Sequence, residues 1–218
     1  GSVTEDGTVT ATGAVSFTDA DQTDTHTVTS SYNADAVWTG GTLSAAQITA
    51  ISSGFSADSD SWDYSVANAA LQFLGAGESI TLSFTVQVTD DSGVVASNSD
   101  TEVVTITING TNDAAVISGT RTASLTESNA ALTASGTLTI SDVDSAATFV
   151  AQNGTVGTIG TFSIGTNGAW NFIANAAFDS LNAGSSVSDT FAVLSADGTA
   201  TSVTVTITGT NDAAVISG

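Results

Sequence analysis

The sequence contains no cysteine and no lysine, and it has one arginine and one histidine. Without cysteine, the chain can form neither a disulfide framework nor a thiolate site for zinc or an iron–sulfur cluster. General acid–base and nucleophilic catalysis need a tuned His, Cys, Lys or carboxylate pair. Few catalytic groups are therefore available to this chain.

Positive charge is almost absent. The 22 Asp and Glu residues face a single Arg, which gives a formal net charge of −21 at pH 7. Nucleic acids and anionic lipids are bound through Lys and Arg, so neither is an expected partner. Such a surface attracts cations instead. Because like charges destabilise a compact chain, we expect bound metal or salt to offset the repulsion.

Long apolar runs are missing as well. No charged-then-apolar leader opens the printed sequence, and no apolar run reaches the length of about 18 residues that a membrane span needs. Hydrophobic residues still make up 41% of the chain, which is enough to build cores. We therefore predict a globular protein without membrane insertion.

One ten-residue segment occurs twice. Gly-Thr-Asn-Asp-Ala-Ala-Val-Ile-Ser-Gly stands at positions 110–119 and again, without change, at 209–218. Such identity indicates a tandem repeat, here of two domains at 1–112 and 113–218. Because the chain stops on residues that also open the second domain, we expect it to be a piece of a longer array.

Other segments recur in the same order in both domains. The pairs are Val3-Thr4-Glu5 with Leu125-Thr126-Glu127, Asp19-Ala20-Asp21 with Asp142-Val143-Asp144, Trp62-Asp63-Tyr64 with Trp170-Asn171-Phe172, and Phe84-Thr85-Val86 with Phe191-Ala192-Val193. The two domains are therefore expected to share one fold.

Apolar and polar residues alternate along short segments. The clearest run is 80–89, and similar runs are 13–18, 26–32, 62–66, 137–140 and 162–164. Short alternating segments separated by Gly, Asn, Asp and Ser predict an all-β fold, with an antiparallel sandwich of about seven strands per domain. The segments 42–52, 68–74 and 175–181 are predicted to form a helical turn or an ordered loop.

The candidates for catalysis are weak. His26 lies in a strand pattern in register with Val28, Ser30 and Tyr32, and the second domain has no matching histidine, so a structural role is favoured. A glycosidase-like carboxylate pair remains formally open. The carboxylates, however, recur in both domains beside turns, which favours metal binding over a single active site. We predict that the protein is not an enzyme.

The recurring carboxylates suit calcium, which takes about six to eight oxygen ligands, often from turns. The candidate ligands that follow predicted strands or lie at turns and at the domain junction are Asp19, Asp21, Asp90, Asp91, Asn112, Asp113, Asp142, Asp144 and Asp197. The alternative is that Asp and Asn merely favour turns and keep the surface soluble. Matching positions in two domains that nearly lack cations favour calcium.

Two other surfaces are open to a ligand. The alternating Thr residues at 105–107 and 204–208 could form a flat array, although the solvent face of an ordinary strand is the favoured interpretation. Trp62 and Trp170 match between the domains and are assigned to the cores. Trp38 has no match and is the one plausible exposed aromatic platform.

These motifs together resemble VCBS repeats of bacterial RTX-type adhesins. The resemblance rests on the closing Gly-Thr-Asn-Asp, the opening Thr-Glu-Asp-Gly, the early Asp-x-Asp and the Trp-x-Tyr/Phe strand. It implies Greek-key, Ig-like or cadherin-like sandwiches that act as extracellular extender modules, leave the cell by type I secretion and become rigid when calcium fills the junctions.

The resemblance also implies ligand sets. The junction site would take Glu5, Asn112 and Asp113 with Asp142, Asp144 and Asp197. Asp19, Asp21, Asp90 and Asp91 would face a preceding domain, and Glu127, Asn211 and Asp212 a following one. One departure from the pattern is Ser128, which replaces Asp6 of the first domain.

We therefore expect a monomeric, calcium-dependent extender on a bacterial cell surface, with neighbouring repeats of the same chain as its partners. Other parts of the parent protein would contact cell-surface or biofilm-matrix ligands. The alternative is an adhesion module in which these domains themselves bind a glycan or another copy of the protein.

Overall fold

A computed structural model describes residues 1–21, 23–92, 98–214 and 216. The chain divides into two units, Gly1–Asp113 (unit 1) and Ala114–Gly218 (unit 2). Each unit is an all-β sandwich with a hydrophobic core of its own. The predicted fold class is therefore confirmed.

Eight strands are described in unit 1. They are β1 (Ser2–Thr4), β2 (Thr10–Ala14), β3 (His26–Tyr32), β4 (Val37–Trp38), β5 (Phe55–Ala57), β6 (Ser61–Ser65), β7 (Ser79–Asp90) and β8 (Ser99–Asn109). One sheet has the order β1-β8-β7-β3, with β4 also paired to β7, and the other has the order β2-β6-β5. The β1–β8 pair is parallel and the remaining pairs are antiparallel.

Eight strands are likewise described in unit 2. They are β9 (Val116–Gly119), β10 (Thr122–Thr126), β11 (Thr133–Ser141), β12 (Gln152–Val156), β13 (Gly160–Ile164), β14 (Ala169–Ala174), β15 (Ser186–Leu194) and β16 (Ala200–Thr208). The sheets have the orders β12-β13-β14-β11-β9 and β10-β16-β15. As in unit 1, an early strand pairs in parallel with the last one, here β10 with β16.

Helical structure is confined to two short segments. The helix α1 (Ala45–Ser52) lies within the predicted segment 42–52 and begins with a capping box, in which Ser44 and Gln47 each accept a hydrogen bond from the other's backbone N–H. A 3₁₀ helix covers Asn68–Ala70. The segment 175–181 forms bends and a turn, in agreement with the ordered loop that was one of its two predicted forms. No helix in the described part of the chain is long and apolar enough to cross a membrane.

A similar set of aromatic rings packs in both cores. In unit 1, Phe55 stacks on Phe84 with ring centroids 4.2 Å apart and also stacks with Trp62 at 5.9 Å. In unit 2, Phe162 stacks on Phe191 at 4.8 Å and lies 6.0 Å from Trp170. Trp170 is buried, and Trp62 is half-buried against its core. Both residues therefore belong to the cores, as expected.

Two sequence predictions were wrong. The strand expected at 13–18 lies earlier, at β2, because residues 10–14 have a partner strand in β6, whereas Phe17 is exposed and contacts the ring of His26. Trp38 is half-buried rather than exposed. Its ring packs edge-on against Phe73 at 5.0 Å, and its N–H donates to Glu78 Oε2 at 3.0 Å.

Candidate metal centres

The first candidate centre in unit 1 is the Glu5 end, formed by Glu5 and the residues after β8. The N–H of Glu5 donates to Asn109 O at 2.9 Å. Since β1 and β8 are parallel, they end at the same edge of the sheet, which brings the Glu5 carboxylate to Thr111. The N–H of Thr111 donates to Glu5 Oε2 at 3.2 Å, and Gln72 Nε2 donates to Glu5 Oε1 at 3.1 Å. Glu5 is only 1% exposed.

Unit 2 has an equivalent Glu127 end, formed by Glu127 and the residues after β16. The N–H of Glu127 donates to Thr208 O at 2.9 Å, and the N–H and hydroxyl of Thr210 donate to Glu127 Oε1. Glu127 is 5% exposed. Its second oxygen, Oε2, is sealed from solvent and has no hydrogen-bond partner within the described part of the chain.

The predicted Asn-Asp ligands adopt the same local geometry in both copies. Asn112 Nδ2 donates to Asp113 O at 3.0 Å, and Asn211 Nδ2 donates to Asp212 O at 3.2 Å. Both pairs immediately follow the Thr residue that donates to the buried glutamate. The repeated closing motif therefore includes a repeated contact with that glutamate.

The predicted Asp pair of unit 1 lies at the other end of the sandwich. The N–H of Asp21 donates to Asp19 Oδ1 at 2.8 Å, and His26 Nε2 lies 2.8 Å from Asp19 Oδ2. Pairing of β3 with β7 places His26 opposite Asp90. Asp91 accepts hydrogen bonds from the N–H and hydroxyl of Thr25 at 3.0 and 2.8 Å. The four predicted ligands of this end, which we call the Asp19 end, are thus close together in the fold.

Sequence reasoning missed a fifth carboxylate of the Asp19 end, Asp24. Partial burial raises the pKa of Asp24, and repulsion by the neighbouring aspartates raises it further. Those aspartates are Asp91, Asp19, Asp21 and Asp90. The pattern Asp-x-Asp-x-x-Asp at 19–24 was a signal that could have found it.

Hydrogen bonding acts in the opposite direction on two members of the Asp19 end. The N–H of Asp21 and the His26 side chain lower the pKa of Asp19. The N–H and hydroxyl of Thr25 lower the pKa of Asp91. Both groups therefore stay ionised, as cation ligands must be.

The corresponding Asp142 end of unit 2 contains Asp142, Asp144 and Asp197. Asp142 Oδ1 accepts hydrogen bonds from the N–H groups of Asp144 and Ser145 at 3.2 and 2.9 Å. Asp142 Oδ2 is sealed from solvent without a hydrogen-bond partner in the described ranges. Pairing of β9 with β11 places Val116 opposite Ser141, and the N–H of Ala115 donates to Asp197 Oδ2 at 3.1 Å. Asp197 therefore lies at the same end as the Asp pair.

Asp197 is held by several donors. Burial on its own raises the pKa of Asp197, but hydrogen bonds from Ser195, Thr199 and Ala115 outweigh that effect and leave the pKa well below its usual value. Thr199 contributes both its hydroxyl, at 2.6 Å from Oδ2, and its N–H, at 3.2 Å from Oδ1. The carboxylate is ionised and fixed in orientation.

The chemistry of these groups fits a hard cation. All predicted ligands are carboxylate or amide oxygens, which calcium prefers, and Glu127 Oε2 and Asp142 Oδ2 are sealed oxygens without donors in the described part of the chain. Among residues 1–21, 23–92, 98–214 and 216, no group of three or more His, Asp or Glu side chains is already arranged to hold a metal ion. The described side chains thus supply suitable donors without forming a complete cage.

The fold and the acidic strand ends define a class of acidic β-sandwich repeats. Within it, residues 112–211 match the family model described as "Bacterial cadherin-like domain". This segment contains the Asp142 end and most of the Glu127 end. A search of curated proteins found no match.

Several solved structures are similar to the chain. It matches a protocadherin gammaB7 EC3-6 cis-dimer structure at 12% identity and a TM-score of 0.46, covering 97% of this chain and 46% of that one. It matches mouse cadherin-23 EC22-24 at 13% identity and a TM-score of 0.35, covering 84% of this chain and 52% of that one. It matches the titin domains z1z2 in complex with telethonin at 10% identity and a TM-score of 0.36, covering 96% of this chain and 92% of that one. The chain therefore spans about half the length of the two cadherin chains.

Proposed function

We propose that this chain is a structural extender segment of a large secreted bacterial surface adhesin, and that calcium bound at its linker stiffens it. The observation that carries the proposal is the recurrence of a buried glutamate, Glu5 and Glu127, hydrogen-bonded to the same threonine of the closing motif in both units. A strand end that only needed solubility would not bury a carboxylate.

The finer assignment is to VCBS repeats of RTX-type adhesins, with export by a type I system and domains at 1–112 and 113–218. Its support is the set of motifs in the sequence, together with the cadherin-like match of residues 112–211. The partners in this proposal are neighbouring repeats of the same chain. The work is mechanical, and no catalytic step is involved.

The linker calcium would take oxygen ligands from residues on both sides of the linker. These are Glu5, Asn112 and Asp113 with Asp142, Asp144 and Asp197. The Asp19 end and the Glu127 end would serve linkers to a preceding and a following repeat. Bound calcium supplies positive charge that neutralises these carboxylates, and in doing so it would restrain the linker.

The calcium concentration of the compartment decides whether such a site is filled. Extracellular calcium modules bind with dissociation constants of roughly 10⁻⁴ to 10⁻³ M, so the sites would be empty in a cytosol and occupied outside the cell. The net charge of −21 keeps the empty chain under self-repulsion. The segment would therefore stay loose before export and become rigid afterwards.

Small-angle X-ray scattering tests this function. With about millimolar calcium, we expect the chain to show a larger maximum dimension and less flexibility than it does in chelator. The double variant Asp142→Ala, Asp144→Ala should lose the response, because it removes two carboxylates assigned to the linker.

A matched control is available in unit 1. Asp58 and Asp60 also form an Asp-x-Asp turn, in which the N–H of Asp60 donates to Asp58 Oδ1 at 2.9 Å, but neither is assigned as a ligand. The variant Asp58→Ala, Asp60→Ala should respond to calcium like the wild type. Scattering that does not change with calcium in any of the three proteins would refute the extender function.

A further inference from the structure

The glutamates that follow β1 and β10 occupy the same place in their units but have different surroundings. Glu5 and Glu127 both hydrogen-bond through their N–H groups to the last strand, and both accept from a threonine of the closing motif. The other donors around the two carboxylates differ, and this difference predicts different responses to cation removal.

In unit 1 a network of side-chain amides surrounds the carboxylate. Gln72 Nε2 donates to Glu5 Oε1 at 3.1 Å and approaches Asp6 Oδ1 at 3.3 Å. Asn68 holds Asp6 in turn, by accepting from its N–H at 2.8 Å and donating to its Oδ1 at 2.5 Å. The 3₁₀ helix that carries Asn68 is fixed by the fully buried Leu71 and Leu74. The amides are therefore preorganised around Glu5.

The described residues of unit 2 do not form this network. The segments 67–70 and 174–177 are both Ala-Asn-Ala-Ala, so Asp179 stands where unit 1 has Gln72, and Ser128 stands where unit 1 has Asp6. The equivalent of Asn68 is Asn175, whose Nδ2 donates to Thr158 O at 3.0 Å instead. Asp179 is exposed and, as an acid, cannot donate a hydrogen bond when ionised.

The sealed oxygen Oε2 of Glu127 consequently has no hydrogen-bond donor among the described residues of unit 2. A carboxylate oxygen cut off from water without a donor is costly, and an internal cation would be the usual remedy. The chain has no Lys, and the guanidinium of its single Arg, Arg121, donates to Ile117 O. A cation from solution would supply the missing positive charge, and the all-oxygen surroundings suit a hard divalent one.

We propose that unit 1 balances its buried glutamate with the amide of Gln72, whereas unit 2 requires a bound divalent cation at Glu127. This inference rests on the proposed calcium function and adds that the two ends depend on the ion unequally. Without cations, the Glu127 end is the unstable one, and the Glu5 end keeps its structure.

Hydrogen exchange on the full chain tests the proposal through two isosteric variants. In chelator, Glu127→Gln removes unbalanced charge, so amides around Thr210 should exchange about tenfold more slowly than in the wild type. In this variant, calcium should then add little further protection from exchange at the Glu127 end. Glu5→Gln removes the charged acceptor of Gln72, so amides around Thr111 should exchange faster by a similar factor. The two variants are thus expected to change the exchange rate in opposite directions. Simple fraying of the last residues would not give this result, because neither substitution would slow fraying.

A third variant keeps the test independent of the glutamates. Gln72→Ala should make the Glu5 end behave like the Glu127 end, with faster exchange in chelator and recovery in about 2 mM calcium. Gln87→Ala, on β7, is the matched substitution away from the Glu5 and Glu127 ends. It should change hydrogen exchange at neither end.

The failures of the two proposals are distinguishable. If calcium binds by calorimetry and stiffens the chain, but Glu127→Gln and Glu5→Gln both accelerate exchange in chelator, this inference is wrong and the extender function stands. If calorimetry detects no calcium binding at millimolar concentration, the extender function fails, and the cation at Glu127 fails with it.

Discussion

Asp35 is held by a single residue across the sheet. It follows Ala34, whose backbone is left-handed at φ 57°, and its two oxygens accept from the N–H and hydroxyl of Ser83 at 2.9 and 2.5 Å. Ser83 is itself buried. Burial alone raises the pKa of Asp35, but the two bonds from Ser83 outweigh it and lower the pKa below its usual value.

The lowered pKa predicts a dependence on acid. A carboxyl whose folded pKa is depressed stabilises the protein above its unfolded pKa of about 3.9, and that contribution is lost as the pH falls through the folded pKa. Because Asp35 is largely exposed, we expect Asp35→Asn to cost only about 0.5–1 kcal/mol at pH 7 and almost nothing at low pH. Urea unfolding in chelator at the two pH values measures this. Ser83→Ala completes a double-mutant cycle. If Asp35→Asn costs the same stability at both pH values, the cost comes from the changed shape of the side chain and not from the lost charge.

At the residue scale, the sequence predicts groups that are linked by spacing. The spacing of two positions along the chain predicts the pairs Asp19 with Asp21 and Asp142 with Asp144. Gln72 was not found, since its contact with Glu5 joins positions 67 residues apart and depends on where a 3₁₀ helix packs. Similarly, the ring contact of His26 with Asp19 was not visible in an alternating strand pattern.

At the scale of elements, a glycine opposite a tryptophan recurs in both units. β2 pairs with β6 so that Gly13 faces Trp62, and β11 pairs with β14 so that Gly136 faces Trp170. A Cβ on Gly136 would lie 2.5 Å from Trp170 Cζ2, and one on Gly13 would lie 2.4 Å from Trp62 Nε1. The indole rings occupy the space that a side chain on the neighbouring strand would need.

This packing predicts the effect of one added methyl group. Gly136→Ala should lower the free energy of unfolding of unit 2 by about 1–3 kcal/mol, because the buried Trp170 must shift within its core. Gly7→Ala is the control, since its Cβ would meet nothing nearer than 3.5 Å. Thermal unfolding followed by tryptophan fluorescence and circular dichroism compares the two. Equal stability of Gly136→Ala and wild type would mean that the ring moves at no cost.

At the same scale, alternation of apolar and polar residues predicts a strand well where the alternating run is long. The run at 80–89 became β7, whose Ile80, Leu82, Phe84 and Val86 are buried. Pattern alone failed at 13–18, because alternation does not reveal whether a partner strand lies alongside. The parallel pairs β1–β8 and β10–β16 were not predicted either, since strand direction depends on topology and not on period.

At the scale of the whole molecule, charge is divided unevenly. Unit 1 holds 15 of the 22 acidic residues with no Lys or Arg, and unit 2 holds seven acids and Arg121. In unit 2 the five-stranded sheet of β9 and β11–β14 contains no charged residue. Self-repulsion is therefore concentrated in unit 1.

Uneven repulsion predicts uneven sensitivity to monovalent salt. Raising NaCl from about 0.01 to 0.15 M shortens the screening length from about 30 to 8 Å. In chelator, this should stabilise unit 1 more than unit 2. Hydrogen exchange resolved by peptide measures both units in one sample. Potassium chloride should have the same effect, because screening does not depend on the ion. An equal gain in both units would contradict the assignment of the repulsion to unit 1.

The parallel strand pairs have a mechanical consequence. In each unit the early strand and the last strand run in the same direction, so tension applied to the two ends of the unit pulls them past one another. Such loading is shear, in which all the hydrogen bonds of the pair resist together instead of opening one after another. In a pulling experiment, each unit is therefore expected to resist extension until its β1–β8 or β10–β16 pair shears.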